Sequence, residues 1–344
     1  MAYLKANRLS RRALLHNCSV LGAGLATGML GSCAQTNAVT QLRQEAAGNA
    51  YVQAPPLGRE FIPPAPLDLR GAGRFPLPLA ADTELYYWDA GGDGEPVLLL
   101  HAGTGSAFVW GYQQQALVAA GYRVIAYSRR GYRESDTGPV DGEGNALPGT
   151  GRPLDDIEAL ATHLRLERFH LLGHAAGGGI ANGYVKAYPQ RIISLTSVAA
   201  LQSIEEEDWV TPMNSIRAPG AAGVTGSFNS NPAELREVGA SYRWANPQGL
   251  AAWMALEHGN RPATVNHPAG IEVRWPDIEA RKFPTLLIGG DADLYVPPAM
   301  YRYLHSRIPA SELYIVPEAG HSVYWEQPEV FNDILLDFLA RHRS

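Results

Sequence analysis

Residues 169–177 read Phe-His-Leu-Leu-Gly-His-Ala-Ala-Gly, and a run of mostly small residues continues to Tyr188. The apolar start predicts a strand buried on both faces of a sheet, and the small-residue run predicts a helix. Gly173 and Gly177 would allow a sharp turn between them, because side chains there would crowd a strained central residue. That central residue is Ala175. The same glycines are also compatible with plain close packing of a helix on a strand.

The rest of the chain repeats this alternation of strand and helix. Further strands are predicted at 82–90, 96–101, 122–127, 192–198, 283–290 and 312–317. Further helices are predicted at 110–120, 155–164 and 326–342. Such alternation is typical of the α/β class, with a parallel sheet covered by helices on both faces.

Residues 201–280 interrupt the alternation with acidic residues, Gly/Pro loops and two helical stretches, 232–242 and 247–257. We interpret them as a helical cap inserted between two strands of the sheet. Its tryptophans are individually more typical of a core, yet some are expected to line an apolar substrate pocket. The candidates are Trp209, Trp244 and Trp253.

Other motifs follow predicted strands in a fixed order. His101-Ala102-Gly103-Thr104-Gly105 follows one strand, and Ser128–Ser135 follows the next. Asp291-Ala292-Asp293 ends a later strand and precedes Pro297-Pro298, and Ala319-Gly320-His321 follows the last one. Together with the turn at 173–177, these landmarks span residues 83–342 and resemble the α/β-hydrolase superfamily. The closest likeness is to capped esterases, lactonases and carbon–carbon bond hydrolases.

The resemblance assigns roles to these residues. Ala175 stands at the nucleophile position, His321 would be the base, and Asp293 would orient it. Asp291 is the competing acid, but the spacing to Pro297 favours Asp293. The backbone amides of Gly103 and Ala176 would form the oxyanion hole. Two other histidines, His101 and His174, are more typical of hydrogen-bonded structural residues than of a base. The stretch at 128–135 resembles an Arg-Gly-x-Gly-x-Ser pattern with Arg133 in place of a glycine.

The alanine at the nucleophile position leaves three interpretations open, because a methyl group cannot form an acyl-enzyme. The chain is a Ser→Ala variant of a serine hydrolase that acts on a small apolar or aromatic ester, lactone or ketone. Alternatively, Ala175 is native, and the Asp293–His321 pair performs proton transfer in a cofactor-free lyase, decarboxylase or oxygenase. In the third interpretation, the chain is a non-catalytic ligand-binding protein.

The charge, the cysteine count and the absence of known cofactor motifs limit which ligands the chain is expected to bind. The net charge is −6, and residues 1–33 carry four basic residues and no acid, so the remainder carries −10. An acidic body argues against nucleic acid as a partner. The two cysteines, Cys18 and Cys33, both precede the body, which therefore lacks cysteines for a disulfide, a zinc site or a thiol nucleophile. No dinucleotide fingerprint, phosphate loop or His-Glu-x-x-His motif occurs, so we expect a small-molecule substrate and neither metal nor cofactor.

The N-terminal segment, residues 1–33, has the pattern of a bacterial export signal. Arg11-Arg12 and the mildly apolar run that follows resemble a twin-arginine signal. Leu30-Gly31-Ser32-Cys33 resembles a lipoprotein cleavage box, which would leave Cys33 lipidated in the periplasm; the alternative is an ordinary cut near Ala34 or Ala38. Residues 34–80 are predicted to be a tether and a loosely packed lead-in. The predicted core therefore comprises 81–200 and 281–344.

Overall fold

The structure is a computed structural model that describes residues 61–200, 202–217, 228–260, 265–266 and 271–344. The predicted export signal at 1–33, and the part of the predicted tether that precedes residue 61, lie outside the described residues.

An eight-stranded, mostly parallel sheet forms the centre of the described chain. Its strand order is β1-β2-β4-β3-β5-β6-β7-β8, in which β1 and β2 are antiparallel to their neighbours and the other strands are parallel. The strands are β1 Gly73–Pro76, β2 Glu84–Asp89, β3 Pro96–Leu100, β4 Arg123–Tyr127, β5 Phe169–His174, β6 Ile192–Val198, β7 Thr285–Gly290 and β8 Ser311–Val316. The predicted α/β class and parallel sheet are confirmed.

Helices connect the strands. They are α1 Gly111–Ala119, α2 Pro153–His163, α3 Ala176–Ala187, α4 Glu207–Arg217, α5 Ala233–Glu237, α6 Ala240–Ala245, α7 Pro247–Asn260, α8 Trp275–Glu279, α9 Pro298–Arg307, α10 Val323–Glu326 and α11 Pro328–Arg341. None of the described helices is both long and apolar enough to cross a membrane.

Side-chain alternation in the strands produces a core on each face of the sheet. In β3, Val97 and Leu99 pack into one buried cluster, whereas Leu98 and Leu100 pack into another. The first cluster includes residues of α1 and α11, and the second includes residues of α2 and α3. Because both faces are covered, the central strands are continuous apolar runs, as the sequence predicted for 169–172.

The lead-in is more tightly packed than the sequence predicted. Residues 73–76 form the edge strand β1, whose Phe75 is completely buried, and Leu77 is also buried. The amide of Gln114 in α1 donates to the carbonyl of Asp68 at 3.0 Å. The prediction of a loose lead-in to residue 80 is therefore wrong for these residues, because a Pro-rich segment can still add a strand at a sheet edge.

The insertion, defined here as residues 201–280, carries α4 to α8 between β6 and β7. The single helix expected at 232–242 is instead two short helices, α5 and α6, separated by Val238 and Gly239. A bridge between Ile204 and Val273 closes the described base of the insertion. The break between α5 and α6 matters because it brings the chain against the loop that follows β8.

Candidate active site

The turn between β5 and α3 holds Ala175 in a strained conformation, with φ 50° and ψ −113°. Non-glycine residues with such dihedral angles cost about 1–3 kcal/mol and persist only when the surroundings impose them. Here the N–H of Ala175 donates to the carbonyl of Val198 at 2.9 Å, and its carbonyl accepts from Gly178 at 3.0 Å. The side chain is 4% exposed. The turn has the conformation of a nucleophile elbow although no hydroxyl is present.

The two flanking glycines are required by close backbone contacts. A Cβ on Gly177 would lie 2.5 Å from the carbonyl oxygen of Leu100, and one on Gly173 would lie 2.7 Å from the carbonyl oxygen of Gly177. Both distances are shorter than real Cβ contacts. The elbow is therefore packed directly against the end of β3, next to the loop that contains Gly103.

His321 and Asp293 come together at the ends of β8 and β7. Nδ1 of His321 lies 3.0 Å from both carboxylate oxygens of Asp293, so its N–H donates to that carboxylate. Asp293 Oδ1 also accepts the backbone N–H groups of Tyr295 at 2.7 Å and Val296 at 3.1 Å. The Tyr295 ring stacks on the imidazole with 4.2 Å between centroids. These contacts fix the ring and direct Nε2 away from Asp293.

The competing acid, Asp291, faces elsewhere. Its Oδ1 accepts the backbone N–H of Glu318 at 2.7 Å, in the turn that follows β8. The geometry thus agrees with the choice of Asp293 as the partner of His321, whereas its catalytic role stays a prediction.

The predicted oxyanion amides have no partners within the described chain. Neither the N–H of Gly103 nor that of Ala176 donates a hydrogen bond to another described residue. Ala176 is the first residue of α3, where N–H groups lack helical acceptors and attract negative charge. The Gly103 carbonyl accepts from the Tyr132 hydroxyl at 3.0 Å, and Arg129 donates to the Ala102 carbonyl at 2.8 Å. The 128–135 stretch therefore stabilises the Gly103 loop through hydrogen bonds to its carbonyl groups.

Two other histidines are structural, as predicted. His101 Nδ1 donates to the Ala102 carbonyl at 2.7 Å, and its Nε2 accepts the N–H of Arg129 at 3.1 Å. Nε2 of His174 donates to the carbonyl of His321 at 2.9 Å. Burial lowers the pKa of His174 to about 3, with help from His321, and burial also holds the pKa of His101 well below its ordinary value. Both rings are therefore neutral supports.

The three tryptophans predicted to line the substrate pocket lie in three different environments. Trp244 is 83% exposed, so its prediction as a pocket residue is wrong; it lies on the outer side of the short helix α6. Trp209 is buried against Trp275, with 6.0 Å between ring centroids, and belongs to a core cluster. Trp253 lines a cavity of about 10 Å³ together with Thr104 and Tyr324.

The residues of the candidate site are buried in this structure. Ala175, Asp293 and His321 are each almost inaccessible to solvent. The described cavity beside Thr104, at about 10 Å³, is far smaller than the roughly 300–1,000 Å³ of typical ligand pockets.

Sequence reasoning missed one ionisable residue of the site, Glu237. This last residue of α5 is buried, and its Oε2 lies 3.9 Å from Nε2 of His321. An acid in a helical stretch of the insertion has no distinguishing pattern, and its contact spans more than eighty positions in the chain. No group of three or more His, Cys, Asp or Glu suited to a metal ion occurs among the described residues.

Chemically, the arrangement combines a base oriented by a carboxylate with two amides that can stabilise developing negative charge on an oxygen. A carbonyl compound bound between them could undergo attack at the carbonyl carbon or loss of a neighbouring proton. The first route requires a nucleophile, which the Ala175 side chain does not supply.

Comparison with known proteins gives the same family. The family model for the alpha/beta hydrolase fold matches residues 95–328. A candidate carbamate hydrolase of Variovorax paradoxus (strain S110) is 35% identical over 271 residues, which cover 72% of this chain and 93% of the relative. The 2-hydroxy-6-oxononadienedioate/2-hydroxy-6-oxononatrienedioate hydrolase of Paraburkholderia xenovorans (strain LB400) is 27% identical over 270 residues, covering 75% and 91%. The crystal structure of bromoperoxidase from Bacillus anthracis superposes with a TM-score of 0.61 and 28% identity, covering 78% of this chain and 99% of that one.

Proposed function

The chain belongs to the α/β-hydrolase family, and we propose that it retains an ester-, lactone- or ketone-binding hydrolase site from which only the nucleophilic oxygen is missing. The observation that carries this proposal is the elbow itself. Ala175 is held in the strained conformation that presents a nucleophile, and the described chain also contains a hydrogen-bonded His321–Asp293 pair and two amides without described partners. An alanine at an ordinary turn would have no need of that strain.

The missing oxygen determines the expected activity. Without it no acyl-enzyme forms, and only the oxyanion amides and substrate binding can accelerate hydrolysis. Serine proteases that lose one triad member keep an acceleration of about 10³–10⁴ over water. We therefore expect the chain with Ala175 to hydrolyse esters only weakly.

The proposed substrate is small and apolar or aromatic. Trp253 and Tyr324 border the cavity beside the Gly103 loop, and aromatic walls of this kind bind apolar groups. A similar protein, the Paraburkholderia hydrolase, by its name acts on an oxo-dioate, which contains a ketone group.

The test is hydrolysis of p-nitrophenyl acetate and butyrate by the parent chain and by Ala175→Ser. We expect a gain of about 10³-fold or more in kcat/KM, because serine supplies the oxygen that the elbow already presents. Ala175→Gly, which lacks the oxygen, is the control and should show no gain. A folded Ala175→Ser protein with unchanged hydrolysis would contradict the proposal.

A second candidate function is proton transfer by the native chain, as in a cofactor-free lyase, decarboxylase or oxygenase. It is favoured by Glu237, whose buried carboxyl faces the side of His321 that a nucleophile would occupy. A non-catalytic binding role is the remaining alternative. Ligand binding would then survive His321→Ala, whereas proton-transfer catalysis would not.

The proposal includes export. The Arg11-Arg12 pair and Cys33 support a folded passage out of a bacterial cytoplasm and attachment to a membrane through a lipid on Cys33. A body without cysteines suits an oxidising compartment, since nothing in it could form an unwanted disulfide.

A further inference from the structure

The carboxyl group of Glu237 lies on the reactive side of His321. Its Oε2 is 3.9 Å from Nε2, the nitrogen opposite the one that bonds Asp293, and the two side chains are only 5% and 2% exposed. Oε2 has no hydrogen-bond partner among the described residues. In Ser-His-Asp sites, Nε2 faces the nucleophile. Here a buried acid from the insertion faces it.

This placement is fixed by the backbone. The carbonyl of Glu237 accepts the N–H of Ser322, the residue after His321, at 2.8 Å. Glu326 Oε2 accepts the N–H groups of Gly239 at 2.8 Å and Gly320 at 2.9 Å, so it joins the insertion to the His321 loop. A Cβ on Gly320 would lie 2.5 Å from the nitrogen of Gly239. Such close contacts hold Glu237 beside His321.

The surroundings allow Glu237 to hold or release a proton. Burial raises its pKa, opposed by His321, the Tyr295 hydroxyl and Arg236, whereas Asp293 raises it further. The other groups that face it are Tyr324, whose ionisation Glu237 disfavours, and Glu326 beneath the Gly239 turn. A carboxyl poised in this way can donate a proton as well as accept one.

We propose that Glu237 is a catalytic acid–base residue, supplied by the insertion, that works opposite His321 on an enolisable ketone or lactone bound at the amides of Gly103 and Ala176. This inference rests on the second candidate function above and gives that function a substrate class and a second proton carrier.

The reaction balances without an added reagent. His321 Nε2 removes a proton from the carbon next to the carbonyl, and the C–H electron pair becomes a carbon–carbon double bond. The carbonyl π pair moves onto the oxygen, where the two amides stabilise the charge. Neutral Glu237 then protonates the oxygen, or a carbon conjugated with it. The imidazolium proton passes to the Glu237 carboxylate, which restores both groups and leaves an enol or a double-bond isomer.

The charge beside His321 also bears on which substrates fit. The Asp293 carboxylate borders His321, so a carboxylate on the substrate next to its reacting carbon would be repelled. The site therefore suits an uncharged ketone or lactone, in contrast to the dioate that the Paraburkholderia relative's name specifies.

The experiment measures deuterium incorporation into phenylacetone, an uncharged aromatic ketone, by proton NMR in deuterated buffer. The parent chain should exchange the protons next to the carbonyl faster than buffer alone. Glu237→Gln, which keeps the shape but loses the acid, should exchange about 10²-fold more slowly. His321→Ala should fall to the buffer rate. Glu234→Gln, on the same helix α5, is the matched control and should exchange like the parent.

Two results would overturn the inference: a parent rate equal to buffer, or an unchanged rate in folded Glu237→Gln. If Glu237→Gln does not fold, Glu237→Asp is used in its place. This variant shortens the side chain by one methylene group, which should slow the exchange at least about tenfold. The outcome is separate from that of the Ala175→Ser test. Ester hydrolysis by the serine variant without exchange by the parent would leave the proposed hydrolase site standing and remove the role of Glu237.

Discussion

At the scale of single residues, Ala175 is the position on which the proposed function depends. Its backbone has the dihedral angles that an elbow imposes, and its neighbours keep those angles through bonds to Val198 and Gly178. The methyl group does not affect the proposed oxyanion donors, because they are main-chain N–H groups. On the proposed function, one side-chain oxygen separates this site from a conventional acyl-transfer site.

The assignment of Asp293 gives a prediction at this scale. In the Ala175→Ser background, Asp293→Asn should lower kcat for p-nitrophenyl butyrate by about 10⁴, because the amide favours the wrong tautomer of His321. Asp291→Asn should change kcat less than about threefold, since Asp291 bonds the Glu318 backbone and not the imidazole. A large loss in Asp291→Asn and none in Asp293→Asn would reverse the assignment.

The positions of site residues were predictable where a short sequence motif contains them. Asp293 was favoured by its spacing to Pro297, and Gly177 by its place in the turn, and both have the contacts that those patterns predict. Glu237 was not predictable, since its contact with His321 depends on how the insertion folds back. Trp244 was misjudged because an aromatic residue in a short helix can face either the pocket or the solvent.

At the scale of elements, the junction between α5, α6 and the loop after β8 joins the insertion to the loop that contains His321. Glu326 in α10 links Gly239 of the insertion to Gly320 beside His321. Strands and long helices of the core were predictable from their apolar runs, whereas β1 and the break at Val238-Gly239 were not. Both are set by contacts with distant elements and not by local pattern.

The Glu326 junction predicts a pH dependence. Burial raises the pKa of Glu326 from 4.5 to about 8, despite the N–H groups that its carboxylate accepts. The folded chain therefore binds this proton more tightly than the unfolded chain. The resulting stabilisation is complete below about pH 4.5 and is lost as the pH rises towards about 8.

Glu326→Gln should remove this dependence of stability on pH, because glutamine accepts the same N–H groups without titrating. Urea unfolding at about pH 5 and about pH 8 should show a smaller fall in the free energy of unfolding for Glu326→Gln than for the parent. Glu329→Gln, on the exposed side of α11, is the control and should follow the parent. An equal fall in the free energy of unfolding between the two pH values for the parent and Glu326→Gln would contradict a raised pKa of Glu326.

At the scale of the whole molecule, an acidic body follows a basic N-terminal segment, and the described part of the insertion contacts the loop that contains His321. The α/β class was predictable because strand and helix alternate along most of the chain. The contact between the insertion and the His321 loop was not, since it depends on how two distant parts of the chain fit together. The burial of His321 and Asp293 strengthens the electrostatic interaction between them.

The N-terminal segment gives a prediction at this scale. Replacing both Arg11 and Arg12 by Lys should keep the chain in the cytoplasm of a bacterial host, as measured by cell fractionation, because the pathway reads the arginine pair. Arg8→Lys is the matched control and should be exported. Cys33→Ala should move the exported chain from the membrane fraction to the soluble periplasm. Export of the double lysine variant at the parent's level would contradict the twin-arginine assignment.

The most direct test of the central claim is covalent labelling of Ala175→Ser by an alkyl fluorophosphonate, followed by intact-mass measurement. Such reagents phosphonylate a serine only when a base and an oxyanion site activate it. The account predicts one label per chain in Ala175→Ser, none in the parent, and none in Ala175→Ser with His321→Ala. A correctly folded Ala175→Ser chain that remains unlabelled would show that the base, the elbow and the oxyanion amides are not assembled for acyl transfer.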